Sequence, residues 1–167
     1  SLYWDRHGCL WAGTSGKGVH SYKERSAGWT RLRQGLRDHE GLVENFIRVL
    51  AVDKEQGVYA GTFDGGVFRS GDAGKTWLPI SRALPNDSIR GLISNERGVY
   101  VATGQDPEHG EGVGRLVCLD ATRTGDITRD GALWDYRGIH RSISTVSIDP
   151  PRSQPSRKGN QSRLRAP

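Results

Sequence analysis

Residues whose types and spacing could do chemistry are few in this sequence, and the densest group of them shares one run. The segment GQDPEHGEGVG, 104–114, sets Asp106, Glu108 and Glu111 around His109. Three carboxylates beside an imidazole supply the oxygen donors that a hard cation such as calcium takes. The same composition also makes a plain hydrophilic surface loop. Asp64, His140 and Arg141 add charge in other glycine-marked connections, and His39 with Glu40 is a lesser pair. Other chemistries lack their residues: there is no phosphate loop, no Ser–His–Asp order and no zinc-ligand spacing. Cys9 and Cys118 stand far apart and read as buried thiols inside strands.

The elements that must carry these residues are strands. Hydrophobic residues make up 34% of the 167, and there are 23 glycines. Many glycines between short apolar runs favour a turn-rich β fold, because glycine weakens helix interiors. No apolar stretch is long enough to span a bilayer. The net charge of +5 suggests a nucleic-acid partner until it is located. Residues 149–167 hold Arg152, Arg157, Lys158, Arg163 and Arg165 against Asp149, a net of +4, which leaves +1 for residues 1–148. The basic balance belongs to a tail with almost no large apolar side chain, expected to be disordered, and no specific nucleic-acid site is expected. The chain contains no methionine, even at position 1, and its pattern stops after Ile148. It therefore reads as a fragment of a longer protein.

A self-similarity organises residues 1–148. Shifted by 48 residues, LYWDRHGCLWAGT falls on LAVDKEQGVYAGT, matching Asp5 with Asp53, Gly13 with Gly61 and Thr14 with Thr62. The match continues through Gly18 and Gly66, Val19 and Val67, and Trp29 and Trp77. SIRGLISNERGVYVAT begins a third copy, which makes Trp11, Tyr59 and Tyr100 equivalent and places Trp134 with Trp29 and Trp77. Each copy divides into four short alternating strands, in the second copy 47–53, 57–62, 66–70 and 76–80. Four strands in 40–50 residues mark a β-propeller blade, whereas a β-sandwich would not repeat the same Gly and Trp at one offset. The expected fold is all-β: blades at about 1–33, 47–80 and 88–136, then the first strand of a fourth at 142–148, forming an open arc. The three tryptophans are expected to be buried at equivalent positions.

Between the third and fourth strands of the second copy lies SGDAGKTW, 70–77. Asp72 can accept backbone N–H bonds inside its own turn, Gly71 and Gly74 tolerate positive φ, and Trp77 offers a large ring for burial. The pattern Ser70, Asp72, Gly74, Thr76 and Trp77 resembles the Asp-box, or BNR repeat, of sialidases and sortilin-type receptors. That resemblance implies a structural turn and not a catalytic one. In the first copy Glu24 and Ser26 replace Asp72 and Gly74. The third copy, with GRLVCLDATRTGDITRDGALW, resembles the blades of PQQ-like propellers, and LWAGTSGKGV is similar to sensor-type propellers of two-component regulators.

These resemblances imply a periplasmic or extracellular protein that binds a protein, glycan or other small ligand through its loops, with the remaining propeller blades as a further partner. In such blades the second-to-third and blade-to-blade loops share one face, which would gather Asp64, Asp106, Glu108, His109, Glu111, His140 and Arg141 opposite Asp72. No cofactor is expected in the chain itself, and PQQ or calcium enter only through the resemblance. The rival reading is a piece of a quinoprotein-like oxidoreductase or a glycan-active hydrolase whose catalytic residues lie elsewhere. Against it, the copies hold neither the arginine cluster and Tyr–Glu pair of a sialidase nor the adjacent cysteines often found in quinoprotein pockets. A fold alone does not license an activity.

Overall fold

The computed structural model describes residues 1–25, 28–32, 45–81, 88–104, 114–120, 122–123, 127 and 130–139. The expected strand at 142–148, the basic tail, and Ser26, His39, Glu40, Asp106, Glu108, His109, Glu111, His140 and Arg141 lie outside the described residues. What is described is all-β. Sheet I comprises β1 (Leu2–Trp4), β2 (Cys9–Thr14), β3 (Gly18–Lys23) and β4 (Trp29–Leu32). Sheet II comprises β5 (Ile47–Val52), β6 (Val58–Thr62), β7 (Val67–Ser70) and β8 (Leu78–Ser81). Sheet III comprises β9 (Ile89–Asn95), β10 (Gly98–Thr103), β11 (Gly114–Leu119) and β12 (Ala132–Ile139). Each sheet is an antiparallel meander in which neighbours in sequence are neighbours in space. The strands of the second copy therefore fall where the alternation put them, except that β8 opens at Leu78 and not at Thr76.

A side chain fixes the first turn of every sheet. Asp5 Oδ1 accepts from the amides of His7 and Cys9, and its Oδ2 accepts from Trp11 Nε1 at 2.9 Å. Asp53 Oδ1 accepts from the amides of Glu55 and Gly57, and its Oδ2 accepts from the Tyr59 hydroxyl at 3.0 Å. In sheet III the same place is taken by Asn95, whose Oδ1 accepts from the amides of Arg97 and Gly98. A short polar side chain that bonds backbone two to four residues ahead closes a turn locally.

The sheets stack face to face, so sheet II is covered on both sides. One core joins Trp11, Val19 and Leu32 of sheet I to Leu50, Val52, Val58, Phe68 and Trp77 of sheet II. A second joins Ala51, Tyr59, Val67 and Ile80 of sheet II to Leu92, Val99, Val101, Val117 and Ile127 on the sheet III side. Alternation along each strand sends successive residues into different cores. The first strand of each following sheet comes close at a glycine. A Cβ on Gly13 would lie 2.6 Å from Ile47 Cγ2, and one on Gly61 would lie 2.5 Å from Ile89 Cγ2.

The expected equivalence of the three tryptophans fails in two different ways. Trp77 is 2% exposed in the first core, but Trp29 is 53% and Trp134 42% exposed. Trp29 pairs with Tyr22 in the register β4 to β3, on the face of sheet I that has no described sheet against it. Its position is the expected one, and no described sheet packs on it. Trp134 is displaced in register: it pairs with Cys118, which pairs with Tyr100, and its ring is 5.8 Å from that of Tyr100. In sheet II the residue aligned on the Tyr59 and Arg69 rung is Leu78, so Trp134 corresponds to Leu78 and not to Trp77. Ile127, whose amide donates to Ile80 O at 3.0 Å, is buried between sheets II and III instead.

Candidate functional site

The 70–77 connection is a closed hydrogen-bonded turn. Ser70 Oγ donates to Asp72 Oδ1 at 2.8 Å and accepts from the Gly74 amide at 2.8 Å. Asp72 Oδ1 also accepts from the Thr76 amide at 2.9 Å, and Oδ2 accepts from the Thr76 hydroxyl at 2.6 Å. The Thr76 hydroxyl and amide hold the Asp72 pKa down to about 2, because each bonds the ionised form. The positive φ values fall on Ala73, at 59°, and Gly74, at 82°, while Gly71 keeps a negative φ contrary to expectation. The side-chain oxygens of Ser70, Asp72 and Thr76 are thus all bonded within the turn, which suits a staple.

The other end of the sheets is different. There β2–β3 and β6–β7 turn, and Thr14 and Thr62 stiffen the two turns by donating to Gly18 O and Gly66 O. The Phe46 backbone is held between these turns: it bridges to Ser15, and its carbonyl accepts from the Phe63 amide at 3.0 Å. Phe46 and Phe63 nevertheless keep much of their rings in solvent, with centroids 6.4 Å apart. The Arg48 guanidinium lies 4.5 Å from the Phe63 centroid, within the range of a cation–π contact. Arg90 occupies the matching place on β9, following Ile89 as Arg48 follows Ile47, and its Nε donates to Gly104 O at 3.2 Å. Together Ser15, Phe46, Ile47, Arg48, Phe63 and Arg90 line an open pocket of about 420 Å³. That volume falls within the range of small-molecule sites.

Of the residues expected on the ligand face, Asp64 is described, and it lies exposed in the β6–β7 connection beside Phe63. Sequence reasoning missed Arg48, Arg90, Phe46 and Phe63. The signal was available: the dipeptide Ile-Arg recurs at 47–48 and 89–90, and an arginine repeated inside an otherwise apolar strand needs a reason.

A second crevice, of about 250 Å³, opens at the end where Asp5, Asp53 and Asn95 close their turns. Its carboxylates are consumed by those turns. Burial would raise the Asp5 pKa, but the bonds from Trp11, Cys9 and His7 outweigh it and leave the pKa lowered. Among the described residues no group of three or more His, Cys, Asp or Glu side chains could hold a metal ion, and no helix is long and apolar enough to cross a membrane. Comparison with family models, with curated proteins and with solved structures finds no match.

Proposed function

We propose that the chain forms an open arc of three β-propeller blades, of which the second carries an Asp-box, and that it binds a ligand on its loop face without transforming it. What supports the propeller reading is the geometry of the stack: three four-stranded meanders in which first strands approach at Gly13 and Gly61. What supports binding is the pocket between Arg48 and Arg90, flanked by the exposed rings of Phe46 and Phe63. Two guanidiniums lining one pocket make it positively charged, and a guanidinium matches the planar fork of a carboxylate. The rings offer a flat apolar surface. A small organic anion with an aromatic or apolar body fits this combination. Asp64, exposed beside Phe63, would bound the ligand on one side.

Fluorine NMR of the full chain with 4-fluorobenzoate tests the reading. Saturable line broadening is expected, weakened at least tenfold in Arg48→Gln with Arg90→Gln, and weak for neutral 4-fluorobenzyl alcohol. Equal broadening by the alcohol, or no effect of the double substitution, overturns the anion site.

A further inference from the structure

Among the described residues, one face of sheet I and one face of sheet III have no sheet against them, and they are the two kinds of face that pack together inside the molecule. In sheet II the face toward sheet I carries Leu50, Val52, Val58, Phe68 and Trp77. Counting back 48 residues, the corresponding face of sheet I carries Leu2, Trp4, Leu10, His20 and Trp29. Strand register confirms that they share a face: Trp4 pairs with Leu10, Leu10 with Tyr22, and Tyr22 with Trp29. This is an apolar rung across all four strands, with Trp4 58% and Trp29 53% exposed, and Leu2, on the neighbouring rung through Ala12, is 73% exposed. At the other end Tyr100, Cys118 and Trp134 form one rung of sheet III, and Ala102, Leu116 and Tyr136 the next. These correspond in register to the face that sheet II turns toward sheet III, where Tyr59 is buried, yet Tyr136 is 54% exposed. Cys118 and Ala102 are buried beneath their neighbours, but the large rings on the edge strands of both faces, Trp4, Trp29, Trp134 and Tyr136, stand exposed, and clustered exposed aromatics of this kind mark interaction surfaces.

We infer that a second copy of this chain covers them, the Leu2–Trp4–Trp29 face of one copy packing on the Tyr100–Trp134–Tyr136 face of the other. The occupant follows from continuity. Inside the molecule this same pair of faces meets twice, between sheets I and II and between sheets II and III, and a second copy continues the stack. A contact between unlike faces is heterologous, so it either closes a ring or grows without end. Closure at two copies rests on the propeller reading above, since two arcs of the three described sheets fall within the roughly four to eight blades of known rings. The pairing of the faces does not rest on it.

Sedimentation equilibrium of the full chain and two substituted chains tests this. The wild type is expected at twice the chain mass of 18.4 kDa. Trp4→Glu and Tyr136→Glu, one on each face, should each run as a single chain. Mixed in equal amounts they should regain the doubled mass, because each still carries the intact face that the other needs. Near-UV circular dichroism of the buried aromatics reports folding, and Leu2→Glu with Trp134→Glu serve as a second pair should either first substitution unfold. A wild type at single mass overturns the inference, as does one variant alone at doubled mass, which would mean that like faces pair. Failure of the mixture to reassociate overturns it too. A wild-type polymer overturns closure at two copies and with it the propeller curvature, leaving a failure of that reading distinguishable from a failure of the pairing.

Discussion

Gly74 rests against the indole of Trp11 so closely that a Cβ built on it would lie 3.0 Å from the Trp11 ring and 2.6 Å from Leu32 Cδ1. The 70–77 turn of sheet II is therefore set directly onto sheet I, and its hydrogen bonds shape a surface that the neighbouring sheet reads. Gly74→Ala meets both the contact and a φ of 82°. Overpacking and left-handed backbone strain together should cost about 2–4 kcal/mol. Urea denaturation measures it, with Ala73→Gly as the contrast. Ala73 has φ 59° and is exposed, so that change relieves strain and should shift stability by no more than about 1 kcal/mol, in the favourable direction. A Gly74→Ala chain as stable as the wild type would mean that the turn does not press on Trp11.

Trp77 and Asp72 sit five residues apart in that turn and should differ in weight. Trp77 is buried in the first core, so Trp77→Ala should cost about 3–5 kcal/mol. Asp72 is exposed and its bonds compete with water, so Asp72→Ala should cost about 1–2 kcal/mol. Trp77 Nε1 is buried without a hydrogen-bond partner among the described residues. Trp77→Phe removes that unpaired donor and keeps most of the ring, so it should cost well under half of the alanine change. Thermal melts of the three variants on one preparation give the order directly.

How much of this was readable from the sequence depends on what each residue answers to. Strand positions in sheet II answer to local alternation and to Asp53, Gly61, Thr62 and Gly66, all visible in the sequence. Burial of Trp29 answers to a neighbouring layer, and a repeated tryptophan does not say whether that layer is present. Trp134 was misplaced for another reason. The segment between Leu119 and Ala132 departs from the spacing of the other copies, and the register of β12 moved the tryptophan onto the Tyr100 face. The job of Trp77 then fell to Ile127, a single apolar residue in a polar stretch, which alignment of tryptophans passes over. Arg48 and Arg90 are not legible as site residues because they stand inside strands β5 and β9, where alternation explains a polar residue without any ligand.

The Asp72 pKa, held down to about 2, makes the turn acid-sensitive in a defined window. A carboxylate whose folded pKa lies below its unfolded value, about 3.9, contributes stability that is present above the unfolded value. That contribution is lost as the pH falls toward the folded pKa. The stability difference between wild type and Asp72→Asn should therefore be constant near neutrality and shrink from about pH 4 downward to pH 2. Exposure of the group keeps the difference to about 1 kcal/mol. Denaturation midpoints across that range measure it, and a difference that persisted unchanged at pH 2 would exclude the carboxylate as its source.

Gln56 is a place where the fold tolerates a poor residue, and replacing it should stabilise the chain. It holds φ 72° in the turn that Asp53 closes, a conformation that a side chain with a Cβ adopts at a cost. Its Nε2 is buried without a hydrogen-bond partner among the described residues, in the crevice shared with Tyr3, Ser94 and Asn95. The corresponding turn of sheet III, Asn95 to Gly98, is one residue shorter and closes without any such residue. Gln56→Gly removes both the strained Cβ and the unpaired amide, against the greater chain entropy that glycine brings to the unfolded state. The first two terms are worth about 1–2 kcal/mol and about 1–3 kcal/mol, and the third opposes them by about 0.5–1 kcal/mol. The expected net is a gain of about 1 kcal/mol or more, read as a higher urea midpoint at unchanged slope. Gln56→Ala separates the contributions, since it frees the buried amide and keeps the strain. It should fall between the wild type and the glycine variant, and a Gln56→Gly chain less stable than the wild type would show that the Gln56 side chain packs more favourably than its geometry allows.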